Sequence, residues 1–412
     1  MAEVIPFRGI LYNCDRVKGS EVMAPPYDII TPELRERLYR KSPYNIVRID
    51  AGEERPSDND SDNKYTRAEA FLNKWLDEGI LKRSAIPCFY AYEMEYRLSG
   101  ETKRLRGFFG LVRLEELGKG VYPHECTHSK PKADRLRLMM TCLANTSPIF
   151  SLYHSEEKIA SSIVNEVCKM TPYIEAIEDD VAHRLWIIED SRYIKGIRDD
   201  LTNRPILIAD GHHRYETALE FQRIMRERVG VARGDEPFNY VLMFLANISD
   251  GDITILPSHR LIHYEAEGLL DRLKEHFFID KIPIKDDIIR TMKGKESTIG
   301  LMLRGKDHGY LLRFKGGDME DVHPVLRGLD VVILHEFIFK RLLGVSDIHY
   351  EMDYRTSMSL LSRGEYDAAF FLNPTKVEDV ERVALSSMRM PPKSTYFYPK
   401  VMTGFVINSL KN

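Results

Sequence analysis

The sequence predicts an α/β or α+β fold in which mixed sheets are flanked by helices. Short apolar, strand-like runs alternate with helically periodic stretches along almost the whole chain, which is the pattern of such folds. The 412 residues are 43% hydrophobic and 30% charged, so a sizeable core can be buried beneath a solvated surface. At about 150 residues per domain, the length favours two α/β subdomains, which we place at residues 1–155 and 156–412.

The strands are predicted from runs rich in β-branched and aromatic residues that are bounded by glycine, proline or aspartate. In chain order these runs are Ile46–Ile49, Cys88–Leu98, Leu105–Leu114, Arg184–Ile188, Ile206–Ala209, Tyr240–Ile248, Thr298–Leu303, Tyr310–Phe314 and Ala368–Leu372. A last strand-like segment follows the proline-rich turn at Met390–Pro392.

Helices are predicted where apolar spacing and capping residues agree. The spacings i, i+3, i+4 and i+7 in Leu136–Leu143 place its apolar residues on one helical face, and Tyr215–Val229 shows a second such face. Thr31 followed by proline is typical of a helix start. Thr375 with Glu378 has the spacing of a capping box, so we expect another helix to begin there.

Charge and hydropathy argue against nucleic-acid and membrane partners. The 59 Lys and Arg residues nearly balance the 63 Asp and Glu residues, and the net charge of −4 gives no basic footprint for a nucleic acid or an anionic membrane. The first twenty residues contain no apolar signal segment, and the uncharged run Phe238–Ser249 is too short to span a bilayer.

The cysteines indicate a reducing compartment. They are odd in number, widely scattered and never spaced as C-x-x-C, which argues against a disulfide framework and a cysteine zinc knuckle. They are Cys14, Cys88, Cys126, Cys142 and Cys168. We therefore expect a cytoplasmic protein.

Two sequence patterns match metal-binding motifs, but the residues around them do not suit a metal site. Residues 124–128 match H-E-x-x-H, but Pro123 and Pro131 leave no room for the long helix that places both histidines around zinc. No zinc is therefore expected, and a metal-dependent hydrolase acting through His124 and His128 is only the third alternative.

The second pattern has the acidic spacing of a calcium loop and lies at the end of the polar stretch Gly52–Asn63. Asn63 occupies the position where that loop requires glycine, so we predict an exposed loop that caps the next helix. The chain also lacks the glycine-rich motifs of P-loop and Rossmann proteins.

The strongest chemical pattern is a buried strand followed by a polar turn and a helix, at Pro205–Glu216. Gly211 allows the backbone to bend close to a ligand, and the helix start presents unpaired N–H groups at the positive end of a dipole. Arg214 adds a planar group that pairs with phosphate oxygens. This pattern predicts a phosphate site formed by Gly211, His213 and Arg214.

The residues around this phosphate site could carry acid–base chemistry. Asp210 could hold Mg²⁺ or accept a proton, while His212 or His213 could donate hydrogen bonds to a transferring phosphoryl group. Glu216 lies one helical turn further and could share the role of base. In the structural alternative, Asp210 caps the helix and the histidines are solvated loop residues.

A second group of candidates lies near the start of the helix that includes Leu136–Leu143. Basic side chains at a helix start interact unfavourably with the helix dipole, so the positions of Lys132 and Arg135 need another reason. A substrate carboxylate or phosphate held by these two side chains would supply it. A salt bridge with Asp134 or Glu125 explains them equally well. His124 and Glu125 could complete the pocket as acid and base.

Asp28 and His259 are further candidates for substrate binding. The rigid segment Pro25–Asp28 could line a pocket or simply turn the chain. His259 follows a Leu-Pro-Ser sequence, and residues 393–400 offer outer contacts, although their alternation is also that of a half-buried strand.

The string Ala209–Leu219 resembles the signature of the family catalogued as domain of unknown function 1015. Other blocks of that family are similar to segments in the same order along this chain, which are Met23–Ile30, His124–Glu125 with Pro131–Leu136, Ser147–Phe150, Leu256–Arg260 and Lys393–Lys400. The resemblance covers essentially the full chain. Cys126 and His128 depart from the family pattern, which is a further argument against zinc.

The turn Asp210–Arg214 also resembles, more distantly, the phosphate-binding turn of the ParB/sulfiredoxin-like superfamily, which includes nucleotide-dependent kinases of free serine. The resemblance implies that this strand–turn–helix binds the phosphates of a nucleotide. It also implies a phosphotransferase that uses ATP or ADP with Mg²⁺. The acceptor would be a small hydroxyl metabolite, with free L-serine as the candidate. The alternative is a nucleotide sensor without catalysis, and either protein could act as a homodimer.

Overall fold

The computed structural model describes residues 3–126, 130–230, 234–264, 268–283 and 288–411. The chain divides into two compact units. The first comprises Met1–Pro123, Thr127–Ile253 and Pro399–Asn412, and the second comprises His124–Cys126 and Thr254–Tyr398.

The strands of the first unit are short at the termini and longest in the middle of the unit. They are β1 Val4–Ile5, β2 Ile10–Tyr12, β3 Leu81–Arg83, β4 Phe89–Leu98, β5 Glu101–Arg113, β6 Val121–Tyr122, β7 Ala144–Asn145, β8 Ile149–Tyr153, β9 Ile174–Glu178, β10 Val181–Ile188, β11 Ile206–Asp210, β12 Tyr240–Asn247 and, after the second unit, β21 Asn408–Ser409.

The helices of the first unit are α1 Gly19–Val22, α2 Pro32–Lys41, α3 Val47–Asp50, α4 Lys64–Asp77, α5 Lys130–Cys142, α6 Ile159–Val167, α7 Ser191–Leu201 and α8 His212–Val229. Short 3₁₀ turns occur at Tyr27–Ile29, Pro237–Asn239 and Ile248–Asp250.

The second unit contains β13 Thr254–Leu256, β14 His259–Ile262, β15 Phe277–Pro283, β16 Thr298–Leu303, β17 His308–Phe314, β18 His349–Glu351, β19 Ala368–Phe371 and β20 Tyr396–Tyr398. Its helices are α9 Leu269–His276, α10 Ile288–Met292, α11 Asp330–Val332, α12 Tyr354–Ser362 and α13 Val377–Leu385, and a π-helix, Ile333–Leu343, follows α11 directly.

A mixed sheet forms the centre of the first unit, with the strand order β6-β11-β8-β12-β5-β4-β10-β9 and β1 paired to β5. The pairs β11–β6 and β12–β8 are parallel, and the other neighbours are antiparallel. All eight residues of β12 are buried, as expected for an uncharged strand in the interior of a sheet. Because β8 pairs with β12, the boundary that we predicted near residue 155 falls inside the first unit.

The second unit has its own mixed α/β organisation. Its main sheet has the order β15-β17-β16-β19-β14-β18 with antiparallel neighbours, and β13 pairs separately with β20. A separate hydrophobic cluster packs beneath this sheet and includes Leu261, Met302 and Phe371. The predicted fold class, mixed sheets flanked by helices, is confirmed.

Most of the predicted elements are found close to their predicted bounds. Thr31 caps α2 by accepting a hydrogen bond from the Leu34 N–H, and the predicted periodic faces belong to α5 and α8. The loop that ends at Asn63 is also confirmed, since the Asn63 side chain forms a capping box at the start of α4.

Two local predictions are wrong. Ile46–Ile49 was expected to be a strand but lies at the start of α3, because the Asn45 side chain accepts a hydrogen bond from the Val47 N–H and starts a helical turn. A short apolar run is compatible with either a strand or a buried helical turn. The capping box at Thr375 does not form either, since its hydroxyl donates to the Ser394 carbonyl and α13 begins after Lys376.

Within the described part of the chain, no helix combines the length and the apolar character that crossing a membrane would require.

Candidate active site

The predicted strand, turn and helix are present as β11, Gly211 and α8. The strand is buried until Asp210, and its pairing with β8 is interrupted by a bulge between Ile208 and Asp210. A bulge changes the direction of the side chains that follow it. The irregularity therefore lies immediately before the polar turn.

Gly211 is required at this turn for two reasons. Its φ of +98° lies in the left-handed region, which favours glycine. A Cβ atom at this position would also lie only 2.8 Å from Arg214 Nε, because the arginine side chain folds back over the glycine. Gly211 is the N-cap of α8 and provides no side-chain hydrogen bond, so the first turn of this 18-residue helix has no capping side chain from that residue.

Asp210 is paired with cations and does not act as the N-cap of α8. Its Oδ2 accepts a hydrogen bond from Lys400 Nζ at 3.1 Å and lies 3.7 Å from Arg214 Nη2. The Lys400 side chain is 13% exposed and the Asp210 side chain 23% exposed, so this ion pair is partly shielded from water. Both charges remain close enough to the surface to meet a ligand.

Arg214 is buried and fixes the turn to the rest of the first unit. Its Nη1 donates to the Ser147 hydroxyl at 3.2 Å and to the Pro148 carbonyl. Part of this guanidinium therefore binds protein oxygens and has a structural role, and its role as a phosphate clamp stays a prediction.

The remaining residues of the turn surround the start of α8. His212 is buried and His213 is half-buried, and the His213 carbonyl accepts a hydrogen bond from the Thr217 hydroxyl at 2.7 Å. Glu216 forms an ion pair with Lys132, and α5 packs against α8. Two residues that we predicted from separate segments are thus brought together.

Arg135 belongs to a buried network. Its guanidinium donates from Nε and Nη2 to Asp134 Oδ2, and from Nη1 to the Asp50 carbonyl at 2.7 Å. Burial raises the pKa of Asp134, but Arg135 and Lys64 outweigh it and hold this pKa at about 2. The salt-bridge alternative for Arg135 is the arrangement found.

Tyr27 lies beside both arginines of this region. The Arg135 guanidinium lies 4.0 Å from the centre of the Tyr27 ring. Burial raises the pKa of Tyr27 to about 12, although the charges of Arg214 and Arg135 act in the opposite direction. The neighbouring Asp28, a predicted substrate-binding residue, is exposed.

Three predicted site residues belong to the second unit. His124 is fully buried with its Nε2 2.9 Å from the Thr395 hydroxyl, and Glu125 Oε1 accepts a hydrogen bond from the Lys393 N–H. His259 is buried against Phe371, and burial lowers its pKa to about 4. His259 Nδ1 accepts a hydrogen bond from the Leu372 N–H, so its surroundings are those of a core histidine. His128 lies outside the described residues.

The residues at the turn do not form a ready metal site. Asp210, the predicted Mg²⁺ ligand, is already paired with Lys400. Among the residues that the structure describes, no group of three His, Cys, Asp or Glu side chains could hold a metal ion.

Sequence reasoning missed Lys400 as a partner of Asp210 and Ser147 as a partner of Arg214. Both lie in segments that resemble family blocks, and this was the signal that could have pointed to them. Nothing local connects Lys400 to Asp210, because 190 residues separate them in the chain.

Comparisons with solved structures show distant similarities of fold. A free serine kinase in complex with AMP is 13% identical, with a TM-score of 0.36 over 72% of this chain and 92% of that chain. SbnI from Staphylococcus aureus, truncated at its C-terminus, is 12% identical, with a TM-score of 0.38 over 74% of this chain and 89% of that chain. A conserved hypothetical protein from Pyrococcus furiosus is 14% identical, with a TM-score of 0.36 over 73% and 95% of the two chains.

No curated protein matches the chain. A family model, described as a protein of unknown function (DUF1015), matches residues 4–332, which is most of the chain and includes the turn at Gly211. The family resemblance seen in the sequence is confirmed, and this chain belongs to the DUF1015 family.

Proposed function

We propose that this chain binds nucleotide phosphates at the Gly211 turn and transfers a phosphoryl group to a small hydroxyl metabolite, with free L-serine as the candidate acceptor. The observation that carries the proposal is the start of α8, where an 18-residue helix begins without a side-chain cap at Gly211. Helix starts of this kind bind anions through their N–H groups and dipole. The nucleotide and the acceptor come from the resemblance of the turn to the ParB/sulfiredoxin-like superfamily.

Lys400 supports the phosphate proposal because its ammonium adds a positive charge beside the backbone of the turn. The Asp210 carboxylate accepts a hydrogen bond from this ammonium and so holds it next to the turn. Charge-assisted hydrogen bonds to phosphate are about twice as strong as neutral ones. Arg214 contributes by holding the turn in shape.

In the proposed transfer, the acceptor hydroxyl oxygen forms a bond to the terminal phosphorus while the bond to the leaving phosphate oxygen breaks. Asp210 or Glu216 takes the hydroxyl proton, and the turn and Lys400 neutralise charge on the phosphoryl oxygens. No step is assigned to Mg²⁺, since Asp210 is already paired and the described residues form no cluster of three metal-ligating side chains.

The test is nucleotide binding with and without the Lys400 charge. We expect ATP or ADP to raise the melting temperature of the wild type, and Lys400→Gln to weaken binding about tenfold or more. Lys169→Gln is the matched control, because Lys169 forms an exposed ion pair with Glu166 on the surface of the first unit. No stabilisation by millimolar nucleotide would refute the proposal.

Turnover is measured separately, by mass spectrometry of the wild type with nucleotide and a panel of hydroxylated metabolites that includes L-serine. A phosphorylated product supports the phosphotransferase. Binding of nucleotide without any product would favour the sensor instead.

A further inference from the structure

Tyr27 is held beside Arg214 by packing within the first unit. Its ring lies over the Arg135 guanidinium, whose central carbon is 4.0 Å from the ring centre. Arg135 and Arg214 both line one small cavity of about 30 Å³, so the two guanidinium groups are neighbours. Burial raises the pKa of Tyr27, and Arg214 opposes this effect more strongly than Arg135 does. Tyr27 therefore lies next to the arginine that packs over the turn.

The backbone also brings Tyr27 toward Lys400. Ala24 and Thr403 form an antiparallel bridge in which each N–H donates to the carbonyl of the other residue. Tyr27 follows Ala24 by three residues, and Lys400 precedes Thr403 by three. Because antiparallel segments run in opposite directions, positions 27 and 400 lie on the same side of this bridge. The intervening Pro25–Pro26 keeps the backbone extended up to Tyr27.

One edge of the Arg214 guanidinium faces the turn. Arg214 is only 9% exposed, and its Nη1 donates to Ser147 and to Pro148. Nε and Nη2 lie over Gly211, where a Cβ would be 2.8 Å and 3.0 Å from them. Within the described part of the chain these two atoms donate no hydrogen bond, and Asp210 Oδ2 is 3.7 Å from Nη2. Such an edge can bind two oxygens of one phosphate.

The Tyr27 hydroxyl is a further donor in this neighbourhood. Tyr27 is half-buried, and its hydroxyl forms no hydrogen bond with any residue that the structure describes. Burial raises its pKa to about 12, and Asp28 and Asp50 add to this more weakly than the two arginines oppose it, so the hydroxyl keeps its proton at neutral pH. A guanidinium has no acceptor atom. Neither arginine can therefore accept a hydrogen bond from this hydroxyl, whereas an anion bound beside them can.

We propose that the Tyr27 hydroxyl donates a hydrogen bond to the phosphoryl group that binds at the Gly211 turn beside Arg214. The inference rests on the proposed function and makes Tyr27 a residue that determines specificity. A carboxylate that placed both of its oxygens on the Nε–Nη2 edge of Arg214 would have no third oxygen for Tyr27. A phosphoryl group has a third oxygen, so Tyr27 favours phosphoryl ligands over carboxylates. No proton is transferred from Tyr27.

The experiment compares wild type with Tyr27→Phe, which keeps the ring over Arg135 and removes only the hydroxyl. Calorimetry measures binding of ADP and of inorganic pyrophosphate, and melting curves are recorded without ligand. We expect Tyr27→Phe to weaken binding of both ligands about tenfold or more, the usual effect of losing a hydrogen bond to a charged group. The melting temperature without ligand should be unchanged, because the hydroxyl has no hydrogen-bond partner among the described residues.

Tyr173→Phe is the control for a structural hydroxyl. The Tyr173 hydroxyl donates to the Tyr12 carbonyl at 2.9 Å, also within the first unit. Its removal should lower the melting temperature and leave the affinities for ADP and pyrophosphate within about twofold of wild type. A melting temperature of ligand-free Tyr27→Phe that falls as far as that of Tyr173→Phe would mean that the Tyr27 hydroxyl is structural, and would overturn the inference.

The binding results separate this inference from the proposed function. Equal affinities in wild type and Tyr27→Phe would leave the nucleotide site in place without Tyr27. A loss for ADP but not for pyrophosphate would mean that Tyr27 contacts the nucleoside, which also overturns the inference. If wild type binds neither ligand, the proposed function fails and the inference fails with it. If affinity depends on Tyr27 but no phosphorylated product forms, the inference stands and the transfer is wrong.

Discussion

Asp210 is the residue whose substitution best separates chemistry from structure. It does not cap α8, since Gly211 occupies the N-cap, and its carboxylate faces Lys400 instead. Asp210→Asn keeps the size of the side chain but loses its charge and its basicity.

We expect Asp210→Asn to fold and to retain nucleotide binding, with turnover reduced by at least about a hundredfold, the usual effect of removing a general base. Loss of the Asp210–Lys400 pair should change stability by no more than about 1 kcal/mol, because the pair is only partly buried. The measurement is the initial rate of product formation beside a melting curve. Wild-type turnover in Asp210→Asn would show that Asp210 is not the base.

Asp134 gives a prediction about acid stability. Its pKa is about 2 in the folded chain, because Arg135 and Lys64 outweigh the effect of burial, and it is close to the ordinary value of about 4 in the unfolded chain. A carboxyl whose folded pKa is lowered stabilises the fold at pH values above its unfolded pKa. This contribution is lost as the pH falls from about 4 to about 2.

Asp134→Asn should therefore lower the free energy of unfolding at pH 7 by about 1 to 2 kcal/mol, after allowance for partial solvent exposure. The difference from wild type should shrink below about pH 3. Urea unfolding at pH 7, 4 and 2.5 measures it, and a difference that is constant with pH would contradict this account of Asp134.

At the scale of the element, helix α8 has a glycine with positive φ at each end. Gly211 has a φ of +98° and lies in the left-handed region, whereas Gly230 has a φ of +77° with a ψ of −110° and lies outside it. A Cβ at 211 would collide with Arg214, and a Cβ at 230 would meet no atom of the described residues within 4 Å. The two positions therefore separate a collision at the turn from a purely local backbone effect.

We expect Gly230→Ala to lower the free energy of unfolding by about 1 to 3 kcal/mol, the cost of a sparsely populated backbone conformation, and to leave nucleotide binding intact. Gly211→Ala should lower it by about 2 to 3 kcal/mol, because the collision adds to the penalty of a left-handed alanine, and it should abolish nucleotide binding. Chemical denaturation and calorimetry measure both effects. Normal nucleotide binding in Gly211→Ala, or loss of binding in Gly230→Ala, would contradict the role given to the turn.

At the scale of the whole molecule, buried histidines predict a loss of stability in mild acid. Burial lowers the pKa of His183 to about 3, of His259 to about 4 and of His335 to about 3. The unfolded chain takes up protons on these rings near pH 6.5, whereas the folded chain does not. Stability is therefore complete above about pH 6.5 and declines as the pH falls toward about 4.

The melting temperature should be flat from pH 7 to 8 and should fall steadily from pH 6.5 to 4. Over this range the free energy of unfolding decreases by up to about 1.4 kcal/mol per pH unit for each histidine. His183→Phe should make the decline shallower. Replacement of the exposed His263 is the control, and it should leave the profile unchanged. A profile that is flat down to pH 4 would mean that these rings become protonated in the folded chain.

The sequence alone predicted the fold class, most of the strands and the strand–turn–helix at Gly211. These features are local: the apolar run Ile206–Ala209, the glycine after it and the periodic face Tyr215–Val229 follow from the backbone preferences of neighbouring residues. The same limit explains the error at Ile46–Ile49, where three apolar residues and Arg48 fit either a strand or a helical turn. The hydrogen bond from the Val47 N–H to the Asn45 side chain decided in favour of the helical turn.

The tertiary structure alone decided which side chains meet. It pairs Asp210 with Lys400, Glu216 with Lys132 and Arg214 with Ser147, and it places Asp50 beside a cavity. It also assigns His124 and Glu125 to one unit and Lys132 and Arg135 to the other, although the two pairs are close in the sequence. The physical reason is that local periodicity reports which face of an element is apolar, whereas ion pairs and cavities depend on packing between elements that the chain brings together from far apart.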